Sequence, residues 1–409
     1  MITDESVVKG RTTIERTGIG AQAVLTVQQF ENLIPALHHR SYEVIGPVLR
    51  EGAIIYDVVE KLADLPAGWT DEQRPGHYRV KPRQGKADAD ALFGYAVGPQ
   101  SWKRYLHPSE VRLFSAKRQD GVFQILNNNQ PLEPSMKRAF LGVRGCELAA
   151  IAIQDRVLLE GKFKDSVYQH RRPGVFIVAV NCTQAASTCF CTSMGTGPGV
   201  RQGFDLAVTE LTTQRGHQFV IKIGSEAGAE VLSDLEYANA TPDILREAED
   251  AIERNASRMQ RHMNTNGIRE LLYNNFDHPR WDNVAQRCLT CANCTMVCPT
   301  CFCTTVEDVS DVTGGHAERW RKWDSCFSQE FSYIHGGSVR SSAKSRYRQW
   351  MTHKLASWID QFGTSGCVGC GRCITWCPVG IDITEEVHAM QESQVNALHP
   401  AKKEEHGRS

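Results

Sequence analysis

Cys288-Leu289-Thr290-Cys291-Ala292-Asn293-Cys294-Thr295-Met296-Val297-Cys298-Pro299 is answered further along the chain by Cys367-Val368-Gly369-Cys370-Gly371-Arg372-Cys373-Ile374-Thr375-Trp376-Cys377-Pro378. Each stretch separates its cysteines by two, two and three residues and closes on Cys-Pro. That spacing wraps three thiolates around one face of a cubane iron–sulfur cluster, and in two-cluster ferredoxins the fourth cysteine ligates the other cluster. Two [4Fe–4S] clusters are therefore expected. One would use Cys288, Cys291, Cys294 and Cys377; the other would use Cys367, Cys370, Cys373 and Cys298. Zinc is the competing reading, because Cys-x-x-Cys is also a zinc-ribbon half-site, but zinc asks for neither a third cysteine two residues on nor a closing proline. A disulfide framework fits less well still, since the chain is long, shows no secretion signal and has an odd total of 15 cysteines.

At 409 residues the chain has room for two or three domains. A formal net charge of −1 argues against a general nucleic-acid binder. Met1 to Gly18 is polar, with no apolar core of a signal peptide and no twin-arginine pair. The longest fully apolar run, Val175 to Val180, falls far short of the ~20 residues of a spanning helix. No membrane association and a cytoplasmic location are expected.

Residues 1–20 read as a flexible arm. A helix follows Thr26 as N-cap. Tyr42 to Leu49 and Ala53 to Val59 read as strands, with Pro47 marking an edge or a bend. Residues 60–110 read mostly as loop. Within them Trp102, Tyr105 and Leu106 suit a core-anchored corner, while Lys103 and Arg104 look exposed and suit a docking surface. The strand Arg138 to Val143, a helix over about Leu148 to Leu159 and the strand Val175 to Val180 form a βαβ pattern of a sheet covered on both faces. Ligands gather at the carboxyl ends of such strands, where Cys146 and Cys182 fall. Strands resume at Phe204 to Val208 and Phe219 to Ile223, and a helix starts at Thr241-Pro242-Asp243. Beyond Ile268 the chain reads as helical without convincing strands. The fold class is thus α+β: a mixed α/β sheet domain over 21–265, a helical dicluster domain over 266–395 and a disordered tail over 396–409.

Two further cysteine sets stand apart from the main runs. Cys146, Cys182, Cys189 and Cys191 would suit a third iron–sulfur cluster or zinc, and the alternative is burial as small apolar side chains. Cys301, Cys303 and Cys326 would pack beside a cluster, with Cys301 and Cys303 placed to donate S–H hydrogen bonds to its sulfurs. His316 to Lys354 carries eight Lys and Arg against three acids, interleaved with Trp320, Trp323, Tyr347 and Trp350. A partner surface or a solvated helix face would account for it.

With these residues in view, the chain resembles the iron–sulfur β subunit of soluble NAD(P)-linked nickel–iron hydrogenases (sulfhydrogenases), and it is similar to the iron–sulfur electron-transfer subunit of anaerobic sulfite reductase. The resemblance rests on Gly98-Pro99-Gln100-Ser101-Trp102-Lys103-Arg104 with Leu106-His107-Pro108, on Gly142-Val143-Arg144-Gly145-Cys146-Glu147, on Asn181-Cys182 with Thr188-Cys189-Phe190-Cys191, and on both cysteine runs. Family members often carry Asp where this chain has Glu147. The resemblance implies an α-helical ferredoxin-like fold for the dicluster domain and an electron-transfer role in a heteromeric complex. Its partners would be the small and large nickel–iron hydrogenase subunits together with an FAD- and NAD(P)H-binding subunit, or else a sirohaem sulfite reductase subunit.

Relay by this chain needs no catalytic residue, and none is assigned. No Gly-x-Gly-x-x-Gly fingerprint is present, so the chain itself is not expected to bind NAD(P)H or FAD. The rival readings are a stand-alone iron–sulfur oxidoreductase using the Cys146 set and a regulatory iron–sulfur sensor, for which no DNA-binding element is seen.

Overall fold

Short runs of β-branched and apolar residues build the main sheet. Its strands are β1 (Gln22–Thr26), β2 (Glu43–Arg50), β3 (Ala53–Val58), β8 (Arg138–Arg144), β9 (Phe176–Val180), β10 (Leu206–Thr213), β11 (Gly216–Ile223) and β12 (Ala238–Asn239). The computed structural model describes residues 18–85, 89–126, 136–213 and 215–398, so most of the expected arm and tail lies outside the described residues. The strand order is β12-β1-β11-β10-β9-β8-β2-β3. β10, β9, β8 and β2 run parallel at the centre and the outer pairings are antiparallel.

Both faces of this sheet are covered, as the apolar strands require. One face packs on the helices Val27–Glu31 and Leu33–His39 through Phe30, Leu33, Ile34 and Leu37. Thr26 and Gln29 close a reciprocal capping box at the start of the first helix. The other face packs through Phe140, Ile177 and Ala179 on Trp102, Ile151 and Tyr168. The helix Gly145–Leu159 links parallel β8 to β9, giving the expected βαβ unit, and leaves Cys146 and Cys182 just past the carboxyl ends of those strands. Pro47 is not on an edge strand: β2 lies between β8 and β3, and its pairing with β8 ends at Ile45, so the proline sits where no β8 partner needs an N–H.

Two expectations are corrected by further strands. Residues 60–110 contain the hairpin β4 (Trp69–Arg74) and β5 (His77–Pro82), built on the Pro75-Gly76 turn. Strands also occur beyond Ile268. β13 (Thr304–Ser310) and β14 (His316–Trp323) join β6 (Glu110–Gln119) and β7 (Val122–Leu126) in a sheet of order β13-β14-β6-β7. That sheet draws strands from both sides of residue 265. The basic stretch from His316 to Lys354 is therefore a strand, a small hairpin of Tyr333–Ile334 with Gly337–Ser338, the helix Ala343–Thr352 and the start of the turn after it, rather than one helix face.

The Trp102 corner is core. Trp102 and Leu106 are buried, with Trp102 stacked on Tyr56 and Phe140. Lys103 is buried too, contrary to the reading of an exposed docking pair; only Arg104 faces solvent.

Candidate metal centre

Chain geometry repeats around the two cysteine runs. In the first, the helix Arg280–Arg287 ends at Cys288, Thr290 and Ala292 take left-handed φ of 51° and 66°, and a short helix Asn293–Met296 carries Cys294. In the second, Gly369 and Gly371 take φ of 66° and 76° at the same offsets, and the helix Arg372–Thr375 carries Cys373. The left-handed positions curl each loop so that its N–H groups point inward. The Thr290 N–H donates to Cys288 Sγ at 3.4 Å, the Gly369 N–H donates to Cys367 Sγ at 3.5 Å, and the Ile381 N–H donates to Cys377 Sγ at 3.3 Å. Thr290 and Ala292 hold a conformation that costs a non-glycine residue about 1–2 kcal/mol, which persists where the surroundings over-determine it.

The two loops meet through their cysteines. Cys288, Cys291, Cys294 and Cys377 line one cavity together with Cys373, roofed by Phe327, Tyr347 and Trp350. Burial pushes the Cys294 thiol well above the usual thiol range, with Cys326, Cys288, Cys377 and Cys291 adding to the shift. The Cys373 thiol is raised in the same way, its sulfur neighbours being Cys367, Cys370, Cys298 and then Cys294. Cys294 and Cys373 thus bring the two sets together. Burial raises Cys367 to about 12. A thiolate in such surroundings needs a compensating cation, so metal loading would displace protons that these sites otherwise keep. Among the described residues, no three His, Cys, Asp or Glu side chains could share one metal ion. A cavity lined by five thiols suits a multi-iron cluster in its donor chemistry.

The N-terminal cysteines also converge. Cys146 is buried beside Cys191, Cys370 and Cys182, and Cys191 has Cys189, Cys182 and Cys370 as neighbours. Cys189 Sγ lies 4.0 Å from the Cys370 carbonyl oxygen. The Phe190 N–H donates to Gly369 O at 2.9 Å, and Thr188 Oγ1 is 2.8 Å from Thr375 Oγ1. Glycine is required for this approach. A Cβ on Gly369 would stand 2.6 Å from Phe190 O, and one on Gly371 would overlap Thr188 O.

The third set is divided, with Cys326 beside Cys294 and Cys301 beside Cys298. Cys301 hydrogen-bonds Cys298, and burial raises Cys303 and pushes Cys326 up to about 12, each beside Lys354.

Residues 287–381 match the family described as a 4Fe-4S dicluster domain, spanning both cysteine runs. Over 286 residues the chain is 30% identical to sulfhydrogenase 2 subunit beta of Pyrococcus furiosus, an overlap covering 69% of this chain and 83% of that one. The chain belongs to the sulfhydrogenase β-subunit family. It is accordingly an iron–sulfur protein of the electron-transfer type, and no helix among its described residues is long and apolar enough to cross a membrane. No solved structure matches it.

In this sulfhydrogenase β-subunit relative, three residues around the cysteines escaped the sequence reading. Arg372, between Cys370 and Cys373, is buried and pairs with Glu147. Gln154, on the helix after Cys146, donates to Thr300 O at 2.9 Å and Pro299 O at 3.3 Å. Lys354 donates to Cys298 Sγ at 3.3 Å. Their one sequence signal is a polar residue interrupting an apolar stretch, which does not reveal a partner far along the chain.

Proposed function

We propose that this chain is the electron-transfer subunit of a hydrogenase complex, with Cys288, Cys291, Cys294 and Cys377 holding one [4Fe–4S] cluster, Cys367, Cys370, Cys373 and Cys298 a second, and Cys146, Cys182, Cys189 and Cys191 a third. The observation carrying the reading is the repeated loop conformation, with Cys377 in the cavity of Cys288, Cys291 and Cys294 and Cys298 beside Cys367 and Cys373. Such clusters supply one-electron transfer without a bound substrate. The residues set the conditions for it. The N–H groups of Thr290, Gly369 and Ile381 stabilise negative charge on ligand sulfurs. Phe327, Tyr347 and Trp350 keep water from one side of the first site, and Cys291 leaves its other side open to solvent. Cys301 and Cys303 would tune the second site through their thiols.

The partners fitting this reading are the small and large nickel–iron subunits and a third subunit that binds FAD and NAD(P)H. The name of the Pyrococcus relative favours that complex over one with a sirohaem subunit. Anaerobic purification of the tagged chain from its native host tests the assignment. Nickel and flavin should co-purify in proportion to the chain, whereas sirohaem without nickel would transfer it to a sulfite reductase.

A further inference from the structure

Lys354 is 3% exposed and stands beside Cys298, Cys301 and Cys367. The helix Ala343–Thr352 does not simply continue into Trp358–Phe362; a single π-turn, His353–Ser357, intervenes and carries Lys354. π-turns inside helices recur at functional sites, where they re-aim a side chain. Here Nζ has three acceptors: Cys298 Sγ at 3.3 Å, Thr300 Oγ1 at 3.2 Å and Gly366 O at 3.1 Å. The hydroxyl proton of Thr300 is itself given to Gly366 O at 2.6 Å, so Thr300 can only accept from the lysine. Three acceptors match the three donors of an ammonium group.

The backbone of Lys354 grips the same residue. The Gly366 N–H donates to Lys354 O at 2.8 Å, so Gly366 is held from both sides, and a Cβ there would strike Trp358 at 2.5 Å. Gly366 immediately precedes Cys367. One side chain therefore ties Cys298 to the start of the loop bearing Cys367, Cys370 and Cys373. A second buried lysine, Lys103, caps the neighbouring turn through Cys301 O at 2.9 Å and lies over the Trp323 ring at 3.8 Å. Among the described residues neither lysine has a carboxylate within ion-pair distance, and the groups facing Lys354 are the thiols of Cys298, Cys301 and Cys367. A buried ammonium is costly unless compensated. Thiolate ligands of a metal centre are the compensation on offer.

We propose that Lys354 is a positioning residue for the second cysteine set, fixing Cys298 against the Cys367 loop and using its charge to make the centre held there easier to reduce than the one held by Cys288, Cys291, Cys294 and Cys377. The proposal rests on the cluster assignment above. An added electron makes a thiolate-ligated centre more negative by one charge, and a fixed cation beside one ligand favours that form. Among the described residues no lysine or arginine hydrogen-bonds a thiol of the first set; Arg346 faces Cys288 but donates to Phe327 O at 3.0 Å, and that loop opens to solvent at Cys291.

The test uses the full chain, wild type and Lys354→Met, Lys354→Gln and Lys354→Arg, with iron content and EPR-monitored redox titration. The wild type should show distinct centres; if it holds no cubane signals, the cluster assignment itself has failed. With iron retained, Lys354→Met and Lys354→Gln should each shift one centre by about tenfold in its reduction equilibrium toward the oxidised form, ~59 mV for one electron, leaving the others in place. Lys354→Arg should stay close to wild type. If the neutral variants lose the second centre's iron while Lys354→Arg keeps it, the charge is likewise required. Unshifted centres in iron-replete neutral variants, or equal iron loss in all three variants, would overturn the proposal.

Discussion

Glu147 shows how much one residue can bind together. Its carboxylate accepts from Tyr56 Oη at 2.8 Å, from Trp102 Nε1 at 3.0 Å, from the Arg144 N–H at 3.2 Å and from the Arg372 guanidinium. Arg372 also donates to Gly98 O at 2.9 Å and Gln100 O at 2.8 Å. The pair joins the start of the helix after β8 to the start of the helix Arg372–Thr375 that carries Cys373, with both side chains at most 1% exposed. Removing one member leaves an uncompensated buried charge, which costs about 3–5 kcal/mol. Glu147→Gln should lower stability to chemical denaturant by that order and reduce iron retention, and a midpoint within error of wild type would show the pair to be dispensable. The motif around Glu147 is visible in the sequence, but its partner lies 225 residues away and no local pattern points to it.

At the scale of elements, the two cysteine loops have one backbone course and different tolerances. Gly371 combines φ of 76° with contact on Thr188 O, so Gly371→Ala meets both backbone strain and a clash. It should destabilise by more than the ~1–2 kcal/mol of the left-handed conformation alone and release the Cys189 to Cys191 segment, which faster hydrogen exchange there would report. At the equivalent place in the first loop, Ala292→Gly relieves strain and should be neutral or stabilising by about 1 kcal/mol. If the two substitutions behaved alike, the loop repeat would not have the role given to it. The loops were legible because cluster ligation fixes cysteine spacing. β8, β9 and their helix were legible because buried parallel strands are continuously apolar. β13 and β14 were not. Their cross-strand pairs are charged, Asp308 with Arg319 and Glu307 with Lys322, and β14 meets β6 through Glu318 and Arg112, so no apolar alternation marks these strands.

Across the whole molecule, the parts before and after residue 265 are joined by more than a linker. They share the sheet β13-β14-β6-β7, and one apolar cluster contains Cys146, Cys191, Trp358, Val368 and Cys370. Phe190, between two N-terminal cysteines, is buried in the core that also holds Trp281, Tyr347 and Ile374. This interlocking places Cys146, Cys189 and Cys191 directly against the second cysteine loop, with Cys182 beside them, an arrangement suited to a row of redox centres. Sequence could mark those thiols as strand-end and loop cysteines but could not bring them to Cys370, because the approach depends on tertiary docking through Gly369 and Gly371. The most direct measurement is anaerobic iron and acid-labile sulfide content, with EPR of the reduced protein, for wild type and the double variant Cys189→Ser/Cys191→Ser. Three cubanes predict about twelve irons per chain, falling by about four in the variant. About eight irons in both proteins would instead confine the clusters to the two cysteine runs and leave the N-terminal cysteines as packing.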